Sequence, residues 1–111
     1  MKIAKIDNMV RGWFAGSFEP TAYETGAFEA AVKHYRAGDE EAEHFHKVAT
    51  EITVIITGQV EMVGRIFGPG DIIILEPGEV TKFKALTDAS NVVIKHPAVA
   101  NDKYLTEDTN A

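Results

Sequence analysis

The chain has 111 residues, enough for one domain with its own core and too few for a second. Its 11 Lys and Arg against 17 Asp and Glu leave a formal charge of −6, so no broad basic surface is expected and nucleic acid and anionic membrane are excluded as partners. Cysteine is absent, which removes disulfides, thiolate ligands and thiolate nucleophiles together.

From the N-terminus, Met1–Phe14 holds no apolar run of signal-peptide length, and nothing later approaches the ~20 apolar residues of a membrane span. A soluble, cytoplasmic protein is the expectation. Short runs rich in Val, Ile, Phe and Thr then recur between Gly, Pro, Asn and Asp, the pattern of an all-β sandwich or barrel. Strands are predicted at Ile3–Ile6, Phe28–Arg36, His44–Lys47, Glu51–Thr57, Gln59–Val63, Arg65–Phe67, Asp71–Leu75, Thr81–Leu86 and Asn91–His96. Residues 1–26, with Trp13, Phe14 and Phe18, read as an arm packing on the barrel or on a dimer partner, and not as a core strand. Residues 27–99 form the barrel, and the polar stretch 100–111 is expected to be a mobile tail.

Two of the predicted strands, Ile52–Thr57 and Ile72–Leu75, are apolar on both faces, which calls for cover on both sides. A second layer supplies one cover, and a second subunit would supply the other, so a homodimer is expected.

One spacing stands out: Gly38, then His44, His46, Glu51 and Gly58. On a helix His44 and His46 would sit about 200° apart, whereas on a strand they share a face. Glu51 lies an odd number of positions beyond His46, so a turn across Val48, Ala49 and Thr50 is needed to bring its carboxylate to the same centre from the next strand. Two imidazoles and a carboxylate with open positions left over suit Fe, Mn, Ni or Zn as a divalent ion. The acidic run Asp39–Glu43 reads as a solvated loop.

These five positions match the first motif of the cupin superfamily with its usual spacing. A second stretch, from Gly70-Asp71 through Ile72–Leu75 and Pro77-Gly78 to Thr81, resembles the second cupin motif, in which a third histidine follows the turn. The resemblance implies a double-stranded β-helix, a jelly-roll barrel of antiparallel strands. Thr81 stands where the third metal histidine would be, so only His44, His46 and Glu51 carry over as metal ligands, and Thr is a poor ligand for a transition ion. His34 and His96 are the substitutes considered. Lys33, Tyr35, Arg65, Lys82 and Lys84 would border the pocket of such a barrel, with Thr53 and Phe83 in its wall.

The function expected first is metal-dependent chemistry on a small polar compound, sugar-like or carrying a keto or carboxylate group, of isomerase, epimerase or dioxygenase type. The superfamily also contains many proteins that are not enzymes, so fold alone does not choose. His44-Phe45-His46-Lys47 also resembles the His-x-His-Lys stretch of cupin-fold nucleotide-sugar ketoisomerases, where the histidine pair works as acid and base without metal. A non-catalytic small-molecule binding module is the third expectation.

Overall fold

The computed structural model describes residues 1–106. After a 3-10 turn at Ile6–Asn8, eleven strands follow: β1 (Trp13–Gly16), β2 (Tyr23–Glu24), β3 (Glu29–Tyr35), β4 (Glu40–Phe45), β5 (Thr50–Thr57), β6 (Val60–Met62), β7 (Arg65–Phe67), β8 (Ile72–Leu75), β9 (Thr81–Ala85), β10 (Ala89–His96) and β11 (Tyr104–Leu105). They build a six-stranded sheet ordered β2-β1-β3-β10-β5-β8 and a five-stranded sheet ordered β11-β4-β9-β6-β7. All pairings are antiparallel except β1 with β2. Among the described residues no helix is long and apolar enough to cross a membrane.

The alternation of side chains along each strand sets what lies between the sheets. Glu51, Thr53 and Ile55 of β5 point inward, as do Ile73 and Leu75 of β8 and Thr81, Phe83 and Ala85 of β9; all are buried. Along β5 the inward row runs from carboxylate through hydroxyl to aliphatic, and along β9 from hydroxyl through aromatic to methyl. Ile55, Val60, Met62, Ile73, Leu75, Phe83, Ala85 and Ala89 therefore form the apolar core at one end, with Tyr35 and Phe67 packed against it. The polar ends of the same strands are left to make a site.

Several expectations change here. Ile3–Ile6 forms no strand, because the chain turns into the 3-10 segment. Trp13 and Phe14 belong to β1, which pairs with β3, so much of the arm is part of the larger sheet. Glu40–Glu43 lies within β4 and not in a loop: Glu40 faces Lys84 at 3.9 Å, and Glu41 accepts a 3.1 Å hydrogen bond from the Tyr35 hydroxyl. Cross-strand partners compensate the low β-propensity of the run. In the stretch expected to be mobile, Asp102 is buried and β11 pairs with β4, while residues 107–111 lie outside those described.

The strands that read as apolar on both faces receive one cover within the chain. The outward row of β5, β8 and β10 comprises Ile52, Val54, Ile56, Ile72, Ile74, Val92 and Ile94, with Ile72 and Ile74 more than half exposed. The register places these side by side, Val92 beside Val54 beside Ile72, and Ile94 beside Ile52 beside Ile74.

Gly58 closes the β5–β6 turn with φ +81°, and a Cβ there would lie 2.1 Å from the Asp88 carbonyl oxygen and 2.8 Å from Ala89 Cα. Backbone cannot retreat as a side chain can, and the left-handed conformation costs a further ~1–2 kcal/mol for a residue with Cβ. Gly58→Ala is therefore expected to lose at least about 2 kcal/mol in denaturant unfolding, whereas Gly38→Ala, with open space around its Cβ at φ +92°, loses only the conformational part.

Candidate functional site

His44 sits in β4 beside Thr81 of β9, and His46 follows just after β4 ends. The chain then turns through Lys47–Ala49 and enters β5 in the opposite sheet. The turn expected from the odd spacing is present, but it is a crossing between sheets and not a hairpin within one. His44 and Glu51 thus belong to facing layers.

Each imidazole is held through its Nδ1. His44 Nδ1 donates to the Ala42 carbonyl at 2.7 Å, and His46 Nδ1 donates to the carbonyl of Asp102. A neutral ring whose proton is committed at Nδ1 leaves Nε2 as an acceptor, the form in which histidine binds a metal. The two rings stand edge to face with centroids 5.4 Å apart, and His46 Nε2 lies 3.6 Å from Glu51 Oε1. All three side chains are buried.

Burial pushes the His44 imidazole below its ordinary range, against the opposing pull of its bond to Ala42. Burial raises Glu51, yet the His46 ring, with Lys95 nearby, outweighs it and holds the carboxyl below the usual range. Burial also drives the Tyr35 hydroxyl strongly upward, reinforced by Glu41.

His44, Glu51, Thr53, Thr81, Phe83, Tyr35 and Lys33 line one cavity of about 1010 Å³. His46 lies behind its wall. His34 is exposed where it meets the cavity, on the outward side of β3, and His96 is exposed and donates from Nδ1 to the Ala27 carbonyl at 2.9 Å, away from the cavity. Neither replaces the missing third histidine. Arg65, Lys82 and Lys84 do not reach the cavity: Lys84 is spent on Glu40, and Arg65 lies over Phe67.

Three buried polar atoms among the described residues have no hydrogen-bond partner: His46 Nε2, Thr81 Oγ1 and Asn91 Oδ1. An unprotonated Nε2 beside a carboxylate places two lone-pair groups face to face in a buried setting, an arrangement that calls for a positive charge. A divalent ion or a proton on His46 would supply it. The donor set, two Nδ1-anchored imidazoles and a carboxylate, fits a borderline transition ion. As placed, no three His, Cys, Asp or Glu groups among the described residues meet around one point as a ready metal cluster. The expected three-way convergence appears as the close His46–Glu51 pair with His44 beside it.

Asp102 went unread in the sequence. Its carboxylate accepts from the backbone N–H of Lys47, Val48 and Ala49 at 2.8–3.3 Å, which fixes the loop carrying His46. Burial raises the Asp102 carboxyl, but the three N–H donors prevail and hold it low. Lys95, Lys103 and Asn91 also line the cavity without having been singled out, and so does Trp13, which the sequence marks only as part of an arm. No local pattern marks them, because they converge from β1, β10 and the segment before β11.

No protein-family model and no curated protein matches the sequence. Among solved structures, the chain is similar to an uncharacterised conserved protein with a double-stranded β-helix domain from Klebsiella pneumoniae, at 25% identity and TM-score 0.72, over 95% of this chain and 91% of that one. It is also similar to a cupin 2 conserved barrel domain protein from Salinispora arenicola, at 28% identity and TM-score 0.57, over 68% and 67% of the two chains. The chain is a small cupin by fold. A further likeness is to the DMSP lyase DddQ from Ruegeria pomeroyi, at 23% identity and TM-score 0.70, over 95% of this cupin but 56% of the lyase chain.

Proposed function

We propose that this cupin binds a small polar compound in its cavity and acts on it at a centre built from His44, His46 and Glu51, which hold a divalent transition ion. The observation that carries the reading is the buried, unpartnered His46 Nε2 facing the Glu51 carboxylate at 3.6 Å. Such an ion supplies Lewis-acid polarisation of a carbonyl or hydroxyl oxygen. The ligand class is a sugar-like, keto or carboxylate compound, as the mix of hydroxyl, imidazole, carboxylate and ammonium groups around the cavity favours.

The chain's own groups divide the work. His44, kept neutral by burial with its Nδ1 proton tied to Ala42, has Nε2 as its one free lone pair: it would hold the ion when one is bound, and only without an ion would it be the base that takes a proton from a carbon beside a carbonyl, or from a hydroxyl. Thr81 Oγ1, buried and unpartnered next to His44, is placed to bond a ligand oxygen. Phe83, Met62 and the rest of the apolar core close the inner end against water.

Elemental analysis of protein purified without added metal tests this. Wild type is expected to carry, or to take up on titration with Fe, Mn, Ni or Zn, one ion per chain, with loss of that ion in His46→Ala. Absence of stoichiometric binding for all four metals overturns the metal reading.

The same His46–Glu51 pair supports a second, metal-free reading in which His46 is an imidazolium held by Glu51 and His44, the histidine that lines the cavity, exchanges the proton with the ligand. Thr81 in place of a third histidine favours it. Proton exchange into a keto sugar by metal-free protein, abolished in His44→Ala, would establish it.

The outward apolar row of β5, β8 and β10 supports a homodimer, since single chains rarely leave so much contiguous aliphatic surface to water. Light scattering is expected to give about twice the 12.2 kDa chain mass. Ile72→Lys with Ile74→Lys, on exposed positions of an edge strand, is expected to give the single chain with its fold intact.

A further inference from the structure

We propose that Trp13, Lys33 and Lys95 form an anion subsite in the cavity that takes the carboxylate of a small organic ligand and holds its remainder toward His44 and Glu51. The proposal rests on the reading of this cavity as the ligand site, and it names the chemical class of that ligand.

Lys33 Nζ lies 5.2 Å, and Lys95 Nζ 5.0 Å, from the centroid of the Trp13 ring. Two ammonium groups thus share one indole, whose π-face draws both toward it. They reach it from adjacent strands, Lys33 from β3 and Lys95 from β10, with Trp13 on β1 next along the sheet. All three line the cavity that His44 and Glu51 also line.

Neither ammonium forms a close ion pair among the described residues. Among the described residues the ion pairs within 4.0 Å are His46–Glu51 and Lys84–Glu40, and neither involves Lys33 or Lys95. Glu41 is the acidic group favouring the charge on Lys33, and its carboxylate already accepts the Tyr35 hydroxyl. Arg11, Lys95 and Lys103 all press against that charge, as does burial. A chain of net charge −6 thus brings two half-buried cations to one aromatic ring; Lys95 stands in register between Glu29 and Glu51, and Glu41 favours the charge on Lys33, yet among the described residues neither ammonium forms an ion pair within 4.0 Å. Isolated lysines at a surface would turn outward to water. Here the strand register aims two of them inward, where a bound anion relieves their mutual repulsion and satisfies their N–H donors.

The register also sets the direction of the ligand. Lys95 pairs with Glu51 across β10 and β5, so the ammonium group and the reacting centre lie on neighbouring strands of one sheet face. A ligand with its carboxylate at the lysines and a hydroxyl or keto group a few bonds away would span the two.

Trp13 is the only tryptophan of the chain, so its fluorescence reports this place alone. The experiment titrates wild type with malonate, and separately with inorganic phosphate, at constant ionic strength against a sodium chloride control. Binding is read by calorimetry and by Trp13 emission. Saturable malonate binding is expected, weakened at least about 10-fold in Lys33→Met and in Lys95→Met, with thermal unfolding showing that both variants are folded. The subsite is overturned if neither anion binds, or if both lysine variants bind malonate as wild type does. Saturable binding of phosphate without malonate overturns the carboxylate assignment. His44→Ala is expected to retain malonate binding. If it does while wild type binds no metal and exchanges no proton, the proposed reaction centre fails and the subsite stands.

Discussion

Asp102→Ala is expected to be among the most damaging single changes outside the core, lowering stability by about 3 kcal/mol. Its carboxylate is the partner of three consecutive backbone donors, those of Lys47, Val48 and Ala49. A buried donor left unpaired costs about 1–3 kcal/mol, and Ala49 is buried while Lys47 and Val48 are exposed enough for water to take over. For a chain near 100 residues this lowers the thermal midpoint by roughly 15 °C. Asp102→Asn keeps one acceptor oxygen and is expected to fall between the two in calorimetric unfolding. The functional consequence runs through the same segment: the Asp102 carbonyl receives the His46 Nδ1 proton, so loosening it frees the ring to rotate. Losing an orienting partner of this kind weakens metal binding about 10–100-fold, and metal titration of Asp102→Ala measures it. Metal affinity equal to wild type in that variant would show that His46 is held by other contacts.

Glu51→Gln is expected to weaken divalent-ion binding more than about 100-fold, since the loss of a ligand exceeds the loss of a ligand's support. It also changes how the fold responds to acid. The Glu51 carboxyl sits below its ordinary value of 4.5, held there against burial by His46 and Lys95. A group with a depressed folded pKa contributes its stability in full above the unfolded value, and loses it as pH falls through the folded one. His44 acts over a higher window. Its folded pKa is depressed from 6.5 by burial, so the unfolded chain takes up a proton first as pH drops below 6.5 and stability begins to decline there. Urea unfolding from pH 7 to pH 3 is expected to show both steps in wild type. The lower step should be diminished in Glu51→Gln and the upper one in His44→Ala. An unchanged acid limb in Glu51→Gln would mean that its charge is not stabilised by its neighbours.

The strands were legible wherever a β-branched run met turn residues, as at Arg65–Phe67, predicted to the residue, and at Ile72–Leu75. They were misread where composition and pairing disagree. Glu40–Glu43 looks like a loop by propensity and becomes a strand because Lys84 and Tyr35 stand opposite it. Trp13 and Phe14 look like an arm because β1 is short, and its place beside β3 is a long-range pairing that no local pattern records. The motif positions were legible because their spacing is tied to backbone geometry: glycine at positive φ at both ends, and a turn between the histidines and the glutamate.

The sequence by itself determined that the chain is an all-β protein carrying two histidines and a glutamate at a spacing only a strand, a turn and another strand can use. Alternation and turn chemistry are local properties, readable over a few residues. The tertiary structure alone decided which groups share the cavity, because that depends on which strands become neighbours. It set Glu51 in the sheet opposite His44, placed His46 behind the cavity wall, and removed His34 and His96 from the centre. It brought in Asp102 from more than fifty residues away to hold the His46 loop, and joined Lys33 and Lys95 around Trp13. These are meetings between segments far apart in the chain, fixed by register and sheet order, and no short window of residues encodes them.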